Sequence, residues 1–527
     1  MLAKITSSLC VGIESSLIEV EVDISSGLPQ ITIVGLPDQA VKESKDRIKA
    51  AIKNSGFHFP SRKKILINLA PADIKKEGPI FDLPIAIAIL VAHGHIHPKH
   101  VESFCIIGEL ALNGALRAVK GALPIAMGLK GTIKKLILPI YNAREAALQQ
   151  NVAVYPVRSL EEAVHFLNGD KTITQFSVSL SNYLQNKQKY PVDFSDVRGQ
   201  LFTKRALEIA VSGAHNILMV GPPGSGKTML AKRLPTIFPD LTYDEALEIT
   251  KVHSATGTLK SHHGFISLRP FRFPHHTISA IALAGGGPIP KPGEVSLAHN
   301  GILFLDELPE FNRNVLEVLR LPMEDKTVTV ARIKQVMTFP ASFILVCAMN
   351  PCPCGFFGDR KKECHCSTAK IEKYLSKISG PLLDRIDMHI EVGRLTIKEF
   401  KSDHTEESSE KIRQRVNQVR QLQEERFRNT KNIHFNAQMN PKEIDAFCTR
   451  TNKAQELLEL AMKELAFSAR AYHKILKIAR TIRDMKTVHS CTPRHISLLD
   501  KVIPIESDDI SEALQYRGLD RNWLNRS

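Results

Sequence analysis

Along the first third of the chain, the spacing of apolar positions switches repeatedly between period two and the helical period. LIEVEVDI and QITIVGL carry aliphatic side chains at strand spacing. DQAVKESKDRIKAAIKNSG has helical spacing and stops at Gly56. KKILINLAP predicts another strand, and FDLPIAIAILVAHG, apolar on every side, a buried helix. FCIIGELALNGALRAV predicts a hairpin turning at Asn113-Gly114. A helix, the strand KLILP and the helix AREAALQQ follow, then a last strand–helix pair, VAVYPV and LEEAVHFL. Residues 1–170 are therefore expected to fold as an α/β domain of their own. Residues 171–193 are polar and weakly periodic, and predict a linker.

The rhythm changes over residues 194–400. Short apolar runs here each end in residues with chemistry. FSDVRGQLFTKRALEIAVSG predicts an entry segment and a helix, and NILMV a strand running into GPPGSGKT. That octapeptide is Gly221, Pro222, Pro223, Gly224, Ser225, Gly226, Lys227 and Thr228, and it fits the phosphate-cradling template at each fixed position. A strand before it and the helix start TMLAKRL after it are the context the template needs. Its backbone N–H groups can turn onto phosphate oxygens. Lys227 is expected to reach the β- and γ-phosphates of ATP, and the Thr228 hydroxyl to hold Mg²⁺. GILFL then delivers two carboxylates: Asp306 for the Mg²⁺ shell and Glu307 as general base toward water. SFILVCAM ends at Asn350, whose uncharged amide can hydrogen-bond a γ-phosphate without repelling it. Residues 401–527 are charged and helical in period, which suits a helical lid.

Composition narrows the compartment and the partners. The 527 residues carry 70 Lys and Arg against 55 Asp and Glu, a formal charge of +15, and this excess points to a polyanionic partner, nucleic acid first. The longest apolar run, LPIAIAILVA, is too short to span a bilayer, and the N-terminus lacks the apolar core of a signal peptide. A cytoplasmic protein without membrane partners is the expectation, with its nine cysteines mostly reduced. Cys352, Cys354, Cys364 and Cys366 form C-x-C-x9-C-x-C. Four thiolates in two close pairs can close a tetrahedral Zn²⁺ site, although C-x-C is tighter than the usual spacing. VTVAR and QVMTF predict a hairpin with Arg332 and Lys334 at its tip, where basic side chains suit phosphate contacts with DNA.

Several stretches resemble known families. LAPADIKKEGPIFDLPIAIAIL, IGELALNGALRAVKGALPIAMGL and LILP together resemble the proteolytic domain of Lon proteases, which has a ribosomal-protein-S5-like fold. That family uses a Ser–Lys dyad with the Ser inside DGPSAG. Here the matching segment is EGPIFD, so Ile80 stands at the nucleophile position and Leu123 at that of the Lys. Alkyl side chains can neither attack a carbonyl nor take a proton, so the resemblance implies the fold without the peptidase chemistry. Asn350 after its apolar strand resembles the sensor-1 residue of AAA+ ATPases, and LLDR with Arg385 the arginine-finger segment of the magnesium-chelatase ATPase subunit. SAR at Ser468 to Arg470 resembles a sensor-2 motif, which implies that Arg470 contacts the γ-phosphate.

RPFRFPHHTISAIALAGGGPIPKPGEVSLAHNGILFLDELPEF, followed by VTVARIKQVMTFPASFILVCAMNPCPCG, resembles the magnesium-chelatase-like AAA+ proteins of the competence-linked ComM/YifB group. This resemblance covers nearly the whole chain. It implies an ATP-driven homo-hexameric DNA motor, a helicase-type branch-migration ATPase acting with recombination proteins during natural transformation. A magnesium-chelatase-type remodeller of a protein partner is the alternative. No integrin-like metal-binding domain is legible, and such a role leaves the basic excess unexplained.

Overall fold

The computed structural model describes residues 2–129, 131, 133–178, 190–259, 264–287, 290–332, 335–359, 361–394, 406–430, 433–465, 468–490 and 503–518. The chain forms two compact units: Met1–Lys187 with Thr242–Ser267, and Gln188–Leu241 with Leu268–Ser527.

The first unit is built on a seven-stranded mixed sheet. Strands β1 (Leu2–Val11) and β2 (Glu14–Ser25) pair antiparallel along their full length. β3 (Gln30–Val34) and β4 (Lys64–Ala70) extend one side, and β5 (Phe104–Ile106), β6 (Lys135–Pro139) and β7 (Ala153–Val157) the other. The hairpin forms at Glu109–Leu110 and Leu116–Arg117 around Asn113-Gly114, but Phe104–Ile106 leaves it to join the main sheet. The helix Asp82–Ala92 is buried along its whole length, which accounts for its apolar composition after Asp82, whose buried carboxylate pairs with Arg47 at 2.6 Å. Ile80 and Leu123 are both buried in this unit.

Two segments depart from the expected boundaries. Ile173, Phe176 and Val178 pack on the first core, and the Phe176 N–H donates to Val154 O at 2.8 Å, so the polar linker begins later than its composition implies. Residues 242–267, expected with 194–400, belong to the first unit. The helix Tyr243–Thr256 is fastened there by Tyr243 Oη donating to Leu148 O at 2.8 Å, by Gly121 N–H donating to Ser254 O at 3.0 Å, and by the Lys251–Glu14 ion pair at 2.7 Å.

The second unit holds a five-stranded parallel sheet. Its strands are β8 (Ile217–Val220), β9 (Phe271–Arg272), β10 (Gly301–Leu305), β13 (Phe343–Met349) and β14 (Met388–Glu391), in the order β9-β10-β13-β8-β14. Strands β8, β10 and β13 are buried at every residue, as a sheet covered on both faces requires. Between β10 and β13 runs the hairpin of β11 (Thr327–Arg332) and β12 (Gln335–Pro340), with Arg332 paired to Gln335. Val328, Val330 and Phe339 face inward. The helices Ser409–Phe427, Pro441–Phe447, Asn452–Leu465, Ala469–Ser490 and Ser507–Gln515 complete the unit and share its apolar core. Among the described residues no helix is long and apolar enough to cross a membrane.

Candidate active site

Parallel strands open their carboxyl ends on one side of a sheet, and loops gather there. β8, β10 and β13 are consecutive neighbours in register, Leu218 with Cys347 and Leu305 with Cys347, so the residues that follow them converge. After β8 comes the phosphate loop. Gly221 N–H donates to Met349 O at 3.2 Å, and a Cβ on Gly221 would lie 2.2 Å from Val392 O. Only glycine lets the loop lie against the neighbouring strand ends at that point. Gly226, in the left-handed conformation, caps the helix Lys227–Arg233.

Lys227 turns back under its own loop. Its Nζ donates to Gly221 O at 2.7 Å, Pro222 O at 3.0 Å and Asn350 Oδ1 at 3.3 Å. Burial pushes its pKa below the ordinary lysine value, and Asp306 opposes the shift. The Thr228 hydroxyl donates to Asp306 Oδ2 at 2.5 Å. The lysine and hydroxyl at the start of one helix thus lie beside the carboxylate that follows β10. Their donor set fits a triphosphate with Mg²⁺: Lys227 is cationic toward phosphate, and Thr228 and Asp306 offer hard oxygens to the metal.

Glu307 follows Asp306 in the left-handed region, at φ 53° and ψ 46°, a conformation that costs an L-residue roughly 1–2 kcal/mol. Its side chain remains 61% exposed, and its carboxylate lies 3.8 Å from Nδ1 of His276. The Tyr374 hydroxyl accepts from the backbone N–H of Asn350.

Two arginines lie apart from this cluster. Arg385 pairs with Glu324 at 2.8 Å and donates to Pro381 O at 2.8 Å, and only 13% of its side chain is exposed. Asp387, two residues on, is engaged by Lys474 at 3.1 Å and by the Asn216 N–H at 2.9 Å. Arg470 is exposed at the start of the helix Ala469–Ser490, whose first turn Ser468 caps by accepting the Ala471 N–H at 3.2 Å. Among the described residues neither arginine is hydrogen-bonded or ion-paired to the phosphate loop. Arg332 ends its strand as expected; its side chain, and the whole of Lys334, lie outside the described residues.

The four clustered cysteines do come together. All four Sγ atoms lie within 4.8 Å of one another, with Cys352 and Cys354 3.3 Å apart. Cys352 is fully buried and accepts the Phe357 N–H at 3.3 Å. Cys354 is held down at about 6: burial would raise it, but the Phe356 N–H and the neighbouring thiols outweigh that. The loop abuts the phosphate loop, since a Cβ on Gly355 would lie 2.5 Å from Pro223 Cδ and 3.7 Å from Asn350 Cγ.

A parallel sheet with a phosphate loop after one strand and a carboxylate pair after another defines a P-loop ATPase core. Three family models match the chain: "Magnesium chelatase, subunit ChlI" over residues 193–400, "Subunit ChlI of Mg-chelatase" over 20–142, and "Magnesium chelatase, subunit ChlI C-terminal" over 406–517. The chain is 41% identical over 522 residues to the Competence protein ComM of Haemophilus influenzae, covering 99% of this chain and 98% of that one. It is 40% identical to the uncharacterized protein YifB of Escherichia coli, with the same coverage. Lon protease 2 of Bacillus subtilis is 30% identical over 171 residues, 29% of this chain and 28% of that one. The chain belongs to the ComM/YifB family of magnesium-chelatase-like AAA+ proteins.

Proposed function

We propose that the protein is an ATP-driven DNA motor that promotes branch migration or unwinding as incoming strands recombine during natural transformation. The observation that carries this reading is the β11–β12 hairpin, joined through β10 and β13 to the nucleotide site, with Arg332 and Lys334 in the sequence between its strand ends. A relative named for competence and the +15 charge support it. Lys227 binds phosphate, Thr228 and Asp306 hold Mg²⁺, Glu307 takes a proton from water, and Asn350 orients the γ-phosphate. The test is an ATP-dependent three-strand branch-migration assay with the purified protein. Remodelling of a chelatase-type partner without strand movement would favour the alternative.

The hairpin makes a separate prediction. Arg332→Ala/Lys334→Ala removes two phosphate contacts, so the salt dependence of DNA binding becomes shallower by about 0.7–0.9 per contact. Basal ATPase activity survives, because the nucleotide residues are untouched. DNA stimulation and branch migration fall. Parental DNA binding in the double variant would place the DNA path elsewhere.

In this reading the active form is a hexameric ring. Arg385 leaves Glu324 to reach a neighbouring subunit's nucleotide, and Arg470 approaches the γ-phosphate from the helical lid. Mixing Arg385→Ala with Lys227→Ala subunits is expected to restore hydrolysis at interfaces that keep both intact halves. No restoration at any ratio counts against the trans arrangement.

The cysteine loop holds Zn²⁺ in this reading, at about one ion per chain. Because Gly355 rests on Pro223, the Cys352→Ser variant should lose the metal and bind ATP severalfold more weakly. Elemental analysis and nucleotide titration check both. Parental affinity in a metal-free variant would leave the cysteines without a hold on the site.

A further inference from the structure

The helix Gln39–Asn54, which joins β3 to β4, carries a stripe of lysines that the reading above leaves unused. The helix buries Val41, Ile48, Ala51 and Ile52 in the core of the first unit. Lys42, Lys45, Lys49 and Lys53 follow one another at steps of three, four and four residues. At about 3.6 residues per turn, that spacing puts them within an arc of about 80° over a length of about 16 Å. Lys42 and Lys53 are exposed, and Lys45 and Lys49 half-buried. Among the described residues none of the four is in an ion pair. Of the two acids on the helix, Glu43 accepts from Gln39 Nε2 at 2.9 Å, and Asp46 flanks the stripe. Its one arginine, Arg47, is turned inward to the buried Asp82, at 2.6 and 3.0 Å. β3 and β4 are parallel neighbours, so the helix between them runs back along the sheet and ends where β4 begins. Arg62, Lys63 and Lys64, all exposed, therefore extend the basic face beyond Lys53. Gln39 to Lys64 hold eight Lys and Arg against two acids, and the rest of the first unit has no basic excess.

We propose that this face docks the sugar–phosphate backbone of duplex DNA. A row of ammonium groups on flexible stems meets phosphates as point charges and reads no bases. A platform for a single strand needs rings on which bases stack, and no Phe, Tyr or Trp is exposed between Gln39 and Lys64. A lipid surface needs apolar side chains beside the lysines, whereas the apolar residues of this helix face the core. The inference rests on the DNA-motor reading for the identity of the polyanion. It adds a contact outside the β11–β12 hairpin that needs no nucleotide.

The test uses the full-length protein without nucleotide, with fluorescence anisotropy on a mixed-sequence duplex over a salt series. Lys42→Ala/Lys45→Ala/Lys49→Ala/Lys53→Ala is expected to weaken duplex binding about tenfold or more, and to make the log–log salt slope shallower by about 0.9 per lysine. Replacing the same four with Arg keeps the charge and should keep parental binding. A single strand of the same sequence should be held by the alanine variant almost as by the parent. A parental slope in the alanine variant, an equal loss in the arginine variant, an equal or larger loss for the single strand, or a loss confined to phosphatidylserine vesicles overturns the inference. Thermal unfolding checks the fold. If the alanine variant melts below the parent, Lys42→Gln/Lys53→Gln, at the two exposed ends, takes its place with about half the change in slope expected. A parental slope there overturns the inference likewise. The motor reading fails separately: in that case the parent itself moves no branch in the three-strand assay.

Discussion

Glu307→Gln is expected to bind ATP with parental affinity and to hydrolyse it about a hundredfold or more slowly. The amide keeps the size and hydrogen bonding of the side chain but cannot accept a proton from the attacking water. Nothing in the phosphate-binding network changes, since Lys227 contacts Gly221, Pro222 and Asn350, and Thr228 contacts Asp306. Lys227→Ala should behave in the opposite way. It removes a buried cation that spans the loop and the end of β13, so nucleotide binding itself is lost. Filter binding for affinity and phosphate release for turnover separate the two. Parental turnover in Glu307→Gln would show that another group is the base. Parental ATP affinity in Lys227→Ala would remove the phosphate loop from the nucleotide site.

The residues of this prediction were legible in the sequence because each chemical group follows its strand directly. A buried strand needs continuous apolar residues, and the loop after it shows where the sheet opens. Asp306, Glu307 and Asn350 could thus be assigned from local pattern alone. The approach of His276 to Glu307 could not. The two are 31 positions apart, and only the β9–β10 register brings them together; β9 is two residues long, too short for periodicity to mark. The first strand was missed for another reason. In LAKITSSLCV, Ser7 and Ser8 are buried where a strand signal needs apolar side chains. The helix Tyr243–Thr256 has no counterpart in the sequence reading, and its polar anchors Tyr243, Lys251 and Ser254 reach partners about a hundred or more positions away, which no window along the chain contains. For Arg385 the motif was visible but its partner Glu324 was not, because the pair joins two segments with the whole cysteine loop between them in sequence.

Asp484→Ala should destabilise the second unit by about 3–5 kcal/mol. Asp484 is fully buried, and its two oxygens are shared by two arginines. Arg426 contacts it with both Nη atoms at 2.6 Å, and Arg480 with Nη2 at 2.7 Å. Asn436 donates to it at 2.8 Å. Removing the carboxylate leaves two guanidinium groups, each under a tenth exposed, without their counter-charge. The same cluster reaches the ATPase core. Asn436 Nδ2 also meets Thr481 at 3.1 Å, Thr481 meets His215 at 2.8 Å, and His215 lies between the helix Leu201–Gly213 and β8. Burial holds His215 at about 4, so it is neutral at physiological pH and binds Thr481 without bringing another charge. For Asp484, burial alone would raise the pKa, but Arg426 and Arg480 overcome it and bring the group to about 2. A folded pKa below the unfolded value of about 3.9 means that its contribution is present above that value and is lost as pH falls toward about 2. The parent should therefore lose stability over that acid interval, and Asp484→Ala should lose less there, having already lost the term at neutral pH. Denaturant unfolding at several pH values checks this. An unchanged midpoint at pH 7 would show that the arginines find other partners. A variant replacing Arg426, Arg480 and Asp484 together with apolar residues is expected to regain most of the stability, because no buried charge is left unpaired.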